Sequence, residues 1–308
     1  MRIFIKTAKS LGFCFGQKKR KNKTQRFRYV RSGKQTLVCS RTVHSSAVAS
    51  NYKKMQNTIE KLKEFSNQID LKKRFDFNFD VSDKIFTSAE NERLKTHQNP
   101  FDQNVELKWI LSEKYQSHSE QNFIDFWIIN VWGGIRGFKQ NERNIDKILR
   151  FKKQIEKGRL SLDCFSTISS LSKISSFLQP ENFVIYDSRV IYTLNWLILT
   201  CENQNGFNEK YYPMPSGRNR IIADFDMNTI INVSHISEYM NKVELFISQQ
   251  KAYFDFCDFV KKATFEIYGK NAKPYELEML LFTLADKEIF TELKNTLEIT
   301  TGNNVYKT

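Results

Sequence analysis

The stretch Thr167–Leu194, TISSLSKISSFLQPENFVIYDSRVIYTL, sets the reading of this chain. A Ser-rich helix carrying Lys173 is expected to run to about Leu178 and to break at Gln179–Pro180, since proline disfavours helical geometry in the residue before it. An extended Phe183–Tyr186 then leads to a second helix that starts just after Asp187. Aspartate is a preferred N-cap because its carboxylate accepts free backbone N–H groups of the first turn. Two helices joined by a short extended segment therefore form the centre of the expected fold.

The same periodicity recurs on both sides. In NERNIDKILRFKKQIEKG, Ile145, Ile148, Leu149 and Ile155 share a face, and Gly158 stands where a helix stops. Ile236, Met240, Val243 and Ile247 suggest another amphipathic helix. Pro274 opens PYELEMLLFTLADKEIF with Leu277, Leu280, Leu281 and Leu284 on one side. Strand-like alternation is confined to Thr36–Val38 and Arg220–Ala223. Loops are expected at Thr96–Gln103, Glu202–Arg218 and the Gly133–Gly137 turn. The fold class is mostly α: a basic, irregular N-terminal arm over residues 1–50 and a helical domain over 51–308.

Composition narrows the function classes. Twenty-six Phe and four Trp in 308 residues suffice for a packed core, which excludes a disordered chain. Only 11 glycines are present, and no GxGxxG or GxxxxGK[ST] string occurs, so a phosphate-cradling glycine loop is not expected. The five cysteines are odd in number and widely spaced, with no CxxC, so free thiols are expected rather than disulfides or zinc. The apolar run Val190–Leu199 is too short to span a bilayer. These features imply a soluble cytoplasmic protein with no membrane partner.

The net charge of +14 is concentrated in one place. Residues 1–59 hold 15 Lys/Arg and no acid, whereas beyond them 33 bases face 34 acids. The densest part includes Lys18, Lys19, Arg20 and Lys21. Bases set against phosphates release condensed counterions, so this segment points to nucleic acid. A transit peptide, a nuclear import signal or an early start codon would also look like this.

The phrase carrying Ser172, Lys173, Phe177, Pro180, Phe183, Ile185, Asp187, Ser188, Arg189 and Val190 resembles the segment bearing the aspartate of helix-hairpin-helix DNA glycosylases. It is most similar to bacterial proteins with an 8-oxoguanine glycosylase fold, and Glu278–Phe282 resembles that group's C-terminal helix. The resemblance is strong over Leu171–Leu194 and loose over about 120–290. It implies a helix-hairpin-helix glycosylase-like bundle that excises a damaged or modified base from DNA, in repair or against modified viral DNA, with a nucleoid association if the source is bacterial. Where that family carries a Leu-Pro-Gly-Val-Gly hairpin, this chain has Ser166–Ser172. The basic arm is then expected to take over part of the grip on DNA.

Each candidate residue has a chemical role and a plainer alternative. Breaking an N-glycosidic bond builds positive charge on the sugar, and a fixed anion near C1′, here Asp187, stabilises it. Its plainer role is a helix cap. Lys173 is a candidate nucleophile for lyase chemistry, or else a solvated amine or one paired with Asp187 or with a DNA phosphate. Trp132, Arg136 and Phe138 are candidates for the pocket of a flipped base; for Trp132, as for Trp127, the alternative is the core of a buried helix. Arg189, Arg218 and Arg220 are candidates for DNA contact alongside the arm, Arg218 and Arg220 with Tyr211 and Tyr212 as stacking partners. No cofactor or metal site is expected. The competing functions are a non-catalytic nucleic-acid-binding protein on the same fold and a metal-dependent nuclease using a faint acidic pair, Asp224 and Asp226.

Overall fold

The structure, a computed structural model, describes residues 3–4, 55–80, 85–117, 121–201, 210–217, 219–301 and 304–307. The basic arm, with Lys18, Lys19, Arg20 and Lys21, and the Thr36–Val38 alternation lie outside the described residues. So does Arg218.

The described chain is mostly helical. α1 covers Gln56–Gln68, α2 Leu71–Arg74, α3 Ser88–Thr96 and α4 Pro100–Ser117. α5, Gln121–Trp127, runs into a π-helical turn at Ile128–Trp132. Then follow α6 (Glu142–Ile155), α7 (Leu162–Phe165), α8 (Ile168–Leu178) and α9 (Ser188–Cys201). The C-terminal part holds α10 (Met227–Ser234), α11 (Ile236–Met240), α12 (Gln249–Tyr268) and α13 (Pro274–Leu284). A second π-helical turn, Ala285–Ile289, leads into α14 (Phe290–Thr296). Ile3–Phe4 (β1), Glu298–Thr301 (β2) and Asn304–Lys307 (β3) form a small sheet, with β1 parallel and β3 antiparallel to the middle strand β2.

The expected pair of central helices is present. α8 ends before Gln179–Pro180, Phe183–Tyr186 belongs to no helix or strand, and α9 begins at Ser188. Both are buried nearly all round: ten of eleven residues in α8 and eleven of fourteen in α9. Serine suits α8 because a small side chain permits close packing and can bond locally. Ser175 and Ser176 return their hydroxyls to the carbonyls of Ser172 and Lys173. Ser172 instead accepts from the Tyr186 backbone N–H at 3.0 Å, tying the connecting segment to α8. α8 packs on α4 and the first π turn, and α9 packs on α13 and α1. Leu277, Leu280, Leu281 and Leu284 of α13 are fully buried, as their spacing predicts.

Three local expectations are corrected. In α6 the buried stripe is Ile148, Phe151 and Ile155, while Leu149 lies one residue off it and is exposed. Ile236–Ile247 is not one helix. α11 stops at Met240, Lys242 takes a left-handed φ of 58°, and Met240 and Val243 are exposed. Spacing alone cannot tell such a stripe from apolar residues scattered through a turn. Arg220–Ala223 is a turn entering a 3₁₀ segment at Ile222–Asp224, not a strand, and the Thr96–Gln103 loop already becomes helix at Pro100.

Candidate active site

Six elements converge on a cleft that encloses about 90 Å³. Asp187 stands at its wall as the cap of α9: its Oδ1 accepts the Arg189 backbone N–H at 3.0 Å, and its side chain is 24 % exposed. The carboxylate is therefore neither sealed nor set in open solvent. Lys173 approaches from α8. It is buried, its Nζ donates to the Ser169 carbonyl at 2.7 Å, and it lies 3.7 Å from Asp187 Oδ2. The cap role and the paired-lysine role foreseen for these residues are thus both present, and both residues line the cavity.

The walls are aromatic. Trp132 lies 4.9 Å from Phe77, and Phe282 lies 6.0 Å from both Phe75 and Phe77. Trp132 is fixed by an Nε1 bond to Asn104 Oδ1 at 2.9 Å and by an edge-on contact with Phe177. Such faces suit a flat apolar guest. The first π turn brings in Trp132 and then Gly133, whose missing side chain makes room for Lys173. A Cβ on Gly133 would stand 2.8 Å from Lys173 Cδ.

The floor carries a second charged pair. Lys108 of α4 and Glu278 of α13 are almost wholly buried, with Nζ 4.0 Å from Oε2. Lys108 also donates to Ser176 Oγ at 3.3 Å and sits over the Phe177 ring. Burial pushes the Glu278 carboxyl up to about 6 despite the lowering effect of Lys108, and burial pushes the Lys108 amine down. Glu278 Oε2 is buried with no hydrogen-bond partner. Beside the cleft, sharing Phe77 and Phe282 with it, lies a polar hollow lined by Arg74, Asn78, Arg189 and Asp286.

The other sequence candidates divide. Phe138 does not line the cleft: it is a core residue 5.9 Å from Phe126. Its position just past the Gly133–Gly137 turn suggested a pocket, but the turn folds it inward. Arg136 is exposed on that turn, outside the cleft. Arg189 is engaged by the protein, bonded to Asp286 Oδ2 at 2.6 Å and stacked at 4.6 Å on Phe282, so it braces the aromatic wall. Arg220 is exposed, but Tyr211 and Tyr212 are buried and bonded to His235 and Asp255, so neither can stack on a base. Asp226 caps α10 rather than pairing with Asp224, and among the described residues no group of three His, Cys, Asp or Glu could hold a metal ion.

Sequence reasoning missed Phe75, Phe77, Lys108 and Phe282, and gave Glu278 no role in the site. The Phe75-Asp-Phe-Asn-Phe alternation was a usable signal for the first two, because alternate residues of an extended segment face one side. Lys108 and Glu278 sit inside ordinary helices and gave none. No protein-family model, curated protein or solved structure matches this chain. Among the described residues no helix is long and apolar enough to cross a membrane.

Proposed function

We propose that this protein is a DNA glycosylase of the helix-hairpin-helix type that hydrolyses the N-glycosidic bond of a damaged or modified base flipped out of DNA. The observation that carries the reading is the partly exposed Asp187 carboxylate beside a buried lysine at the wall of an aromatic-sided cleft. In the reaction the C1′–N bond breaks, its electron pair stays with the base, and water bonds to C1′. Asp187 supplies the fixed negative charge against which the sugar cation forms, in a setting with little competing water. The proton lost by the water ends on the departing base. The resemblance over Leu171–Leu194 supports the same assignment.

The test is release of free base from DNAs carrying different modified bases, read by mass spectrometry in the presence of chelator. Release that depends on Asp187 supports the proposal; strand cleavage abolished by chelation would replace it with a metal-dependent nuclease. If Lys173 attacks C1′, it must first yield a proton, and Asp187 at 3.7 Å is the acceptor at hand. Borohydride is then expected to trap a covalent protein–DNA adduct in the wild type and none in Lys173→Gln. No adduct in the wild type leaves water as the only nucleophile.

The basic arm is proposed to supply DNA affinity. Replacing Lys18, Lys19, Arg20 and Lys21 together by alanine should weaken binding. It should also flatten the slope of log K against log salt by about 0.9 for each phosphate that is no longer neutralised. An unchanged slope reassigns the arm to targeting.

A further inference from the structure

We propose that Lys108 and Glu278 read the polar edge of the extruded base, and that the edge they fit is a lactam, an N–H beside a carbonyl, as in guanine-type and uracil-type bases. The inference rests on the base-excision reading and adds the substrate class.

Four observations support it. Both side chains line the cleft that holds Asp187 and Lys173, so a guest entering that cleft meets them. Both are buried, and such pairs rarely stabilise a fold more than apolar side chains would, because desolvation cancels the attraction. The pair is also incomplete. At 4.0 Å the ammonium and carboxylate do not form a close contact, and Glu278 Oε2 has no donor although its carboxylate takes the Ile185 backbone N–H. A buried acceptor without a donor is costly to maintain, which marks it as a place for a ligand. Finally, the aromatic walls Phe77, Trp132 and Phe282 would hold a flat ring with its edge toward these two groups.

The chemistry selects the edge. Lysine donates to carbonyl oxygens, as in its contacts with guanine O6, while a carboxylate accepts N–H. The ring N–H and the adjacent C=O of a lactam can engage Glu278 and Lys108 at once. Adenine and cytosine present the reverse order, an amino N–H at the exocyclic position and a bare acceptor nitrogen in the ring. The pose that sets a lactam's carbonyl against Lys108 and its ring N–H against Glu278 would therefore set N–H against the ammonium and a lone pair against the carboxylate.

The test is calorimetric titration of the full-length protein with 9-methylhypoxanthine, 1-methyluracil, 9-methyladenine and 1-methylcytosine, in which a methyl group stands for the sugar, and with the forms of the first two that are methylated on the remaining ring N–H as well. The hypoxanthine or uracil form should bind more tightly than the adenine and cytosine forms. Methylation of the N–H, or Glu278→Gln, should weaken that binding about 10- to 100-fold, the range for loss of one hydrogen bond to a charged group. Glu278→Gln leaves Lys108 buried without its anion, so the double variant Glu278→Gln/Lys108→Met, which removes both charges, is measured beside it. Equal binding of all four bases, or binding unchanged in a folded double variant, overturns the proposal. Base release from DNA separates the two ideas. A wild type that binds lactams through Glu278 but releases no base keeps the pocket assignment and loses the enzyme. A wild type that releases bases with a preference indifferent to Glu278 does the reverse.

Discussion

Replacing Asp187 with asparagine is expected to lower the rate of base release by two to three orders of magnitude, with the fold intact and DNA binding nearly unchanged. The fold should survive because asparagine caps helices about as well as aspartate, so the bond from the Arg189 N–H to position 187 is kept. What is lost is a negative charge in a partly water-excluded cleft. Removing one fixed electrostatic partner of a transition state commonly costs about 10²–10³ in rate. Lys173 keeps its bond to the Ser169 carbonyl in this variant, so the pocket should not collapse. Asp187→Ala should in addition cost about 1 kcal/mol of stability through the missing cap. The measurements are single-turnover release of base and thermal unfolding on the same preparations. If Asp187→Asn releases base at the wild-type rate, Asp187 is a cap and nothing more. Normal DNA binding with no release from any modified DNA, even by the wild type, would favour a nucleic-acid-binding module.

The sequence disclosed the site unevenly, for reasons that lie in particular residues. Asp187 as a cap and the break at Gln179–Pro180 were legible because capping and proline geometry are local and act within a few residues, whereas Lys173 was singled out only by the resemblance over Leu171–Leu194. The α13 stripe was legible because four leucines at helical spacing have one plausible destination, the core. Phe138 and the pair Tyr211 and Tyr212 were misjudged because an aromatic residue in a loop reads alike whether it faces a ligand or the interior. Only tertiary packing decides, and here it turned all three inward. The Lys108–Glu278 pair joins residues 170 positions apart on helices that carry no mark of their pairing. Both π turns border the site, one delivering Trp132 and Gly133 and the other Asp286. Such insertions often fall at functional positions, yet no periodicity in the sequence announces them.

Gly133→Ala is expected to damage stability and activity together, through one methyl group. Gly133 has φ −78° and ψ −8°, a conformation open to any residue, so backbone freedom is not why glycine stands here. Space is the reason. An added Cβ would lie 2.8 Å from the Ile129 carbonyl oxygen and 2.8 and 2.9 Å from Lys173 Cδ and Cε. The Ile129 oxygen is backbone and is held by the Ile135 N–H at 3.0 Å, so that contact requires the π turn itself to shift, while the second contact pushes on the Lys173 side chain. Overpacking of this kind costs about 1–3 kcal/mol, which for a domain of this size lowers Tm by several degrees. Displacing Lys173 also moves the cation that faces Asp187, and a misplacement near 1 Å in a catalytic constellation can cost about 10²-fold in rate. Gly134→Ala is the control. Gly134 has a φ of +65° with nothing within 4 Å of an added Cβ, so alanine there strains the backbone by about 1–2 kcal/mol without touching Lys173. The two variants should therefore show similar losses in thermal unfolding but very different losses in base release. If both release base equally well, the close approach of Gly133 to Lys173 has no bearing on the chemistry, and Lys173 is a structural partner of Asp187 rather than a participant.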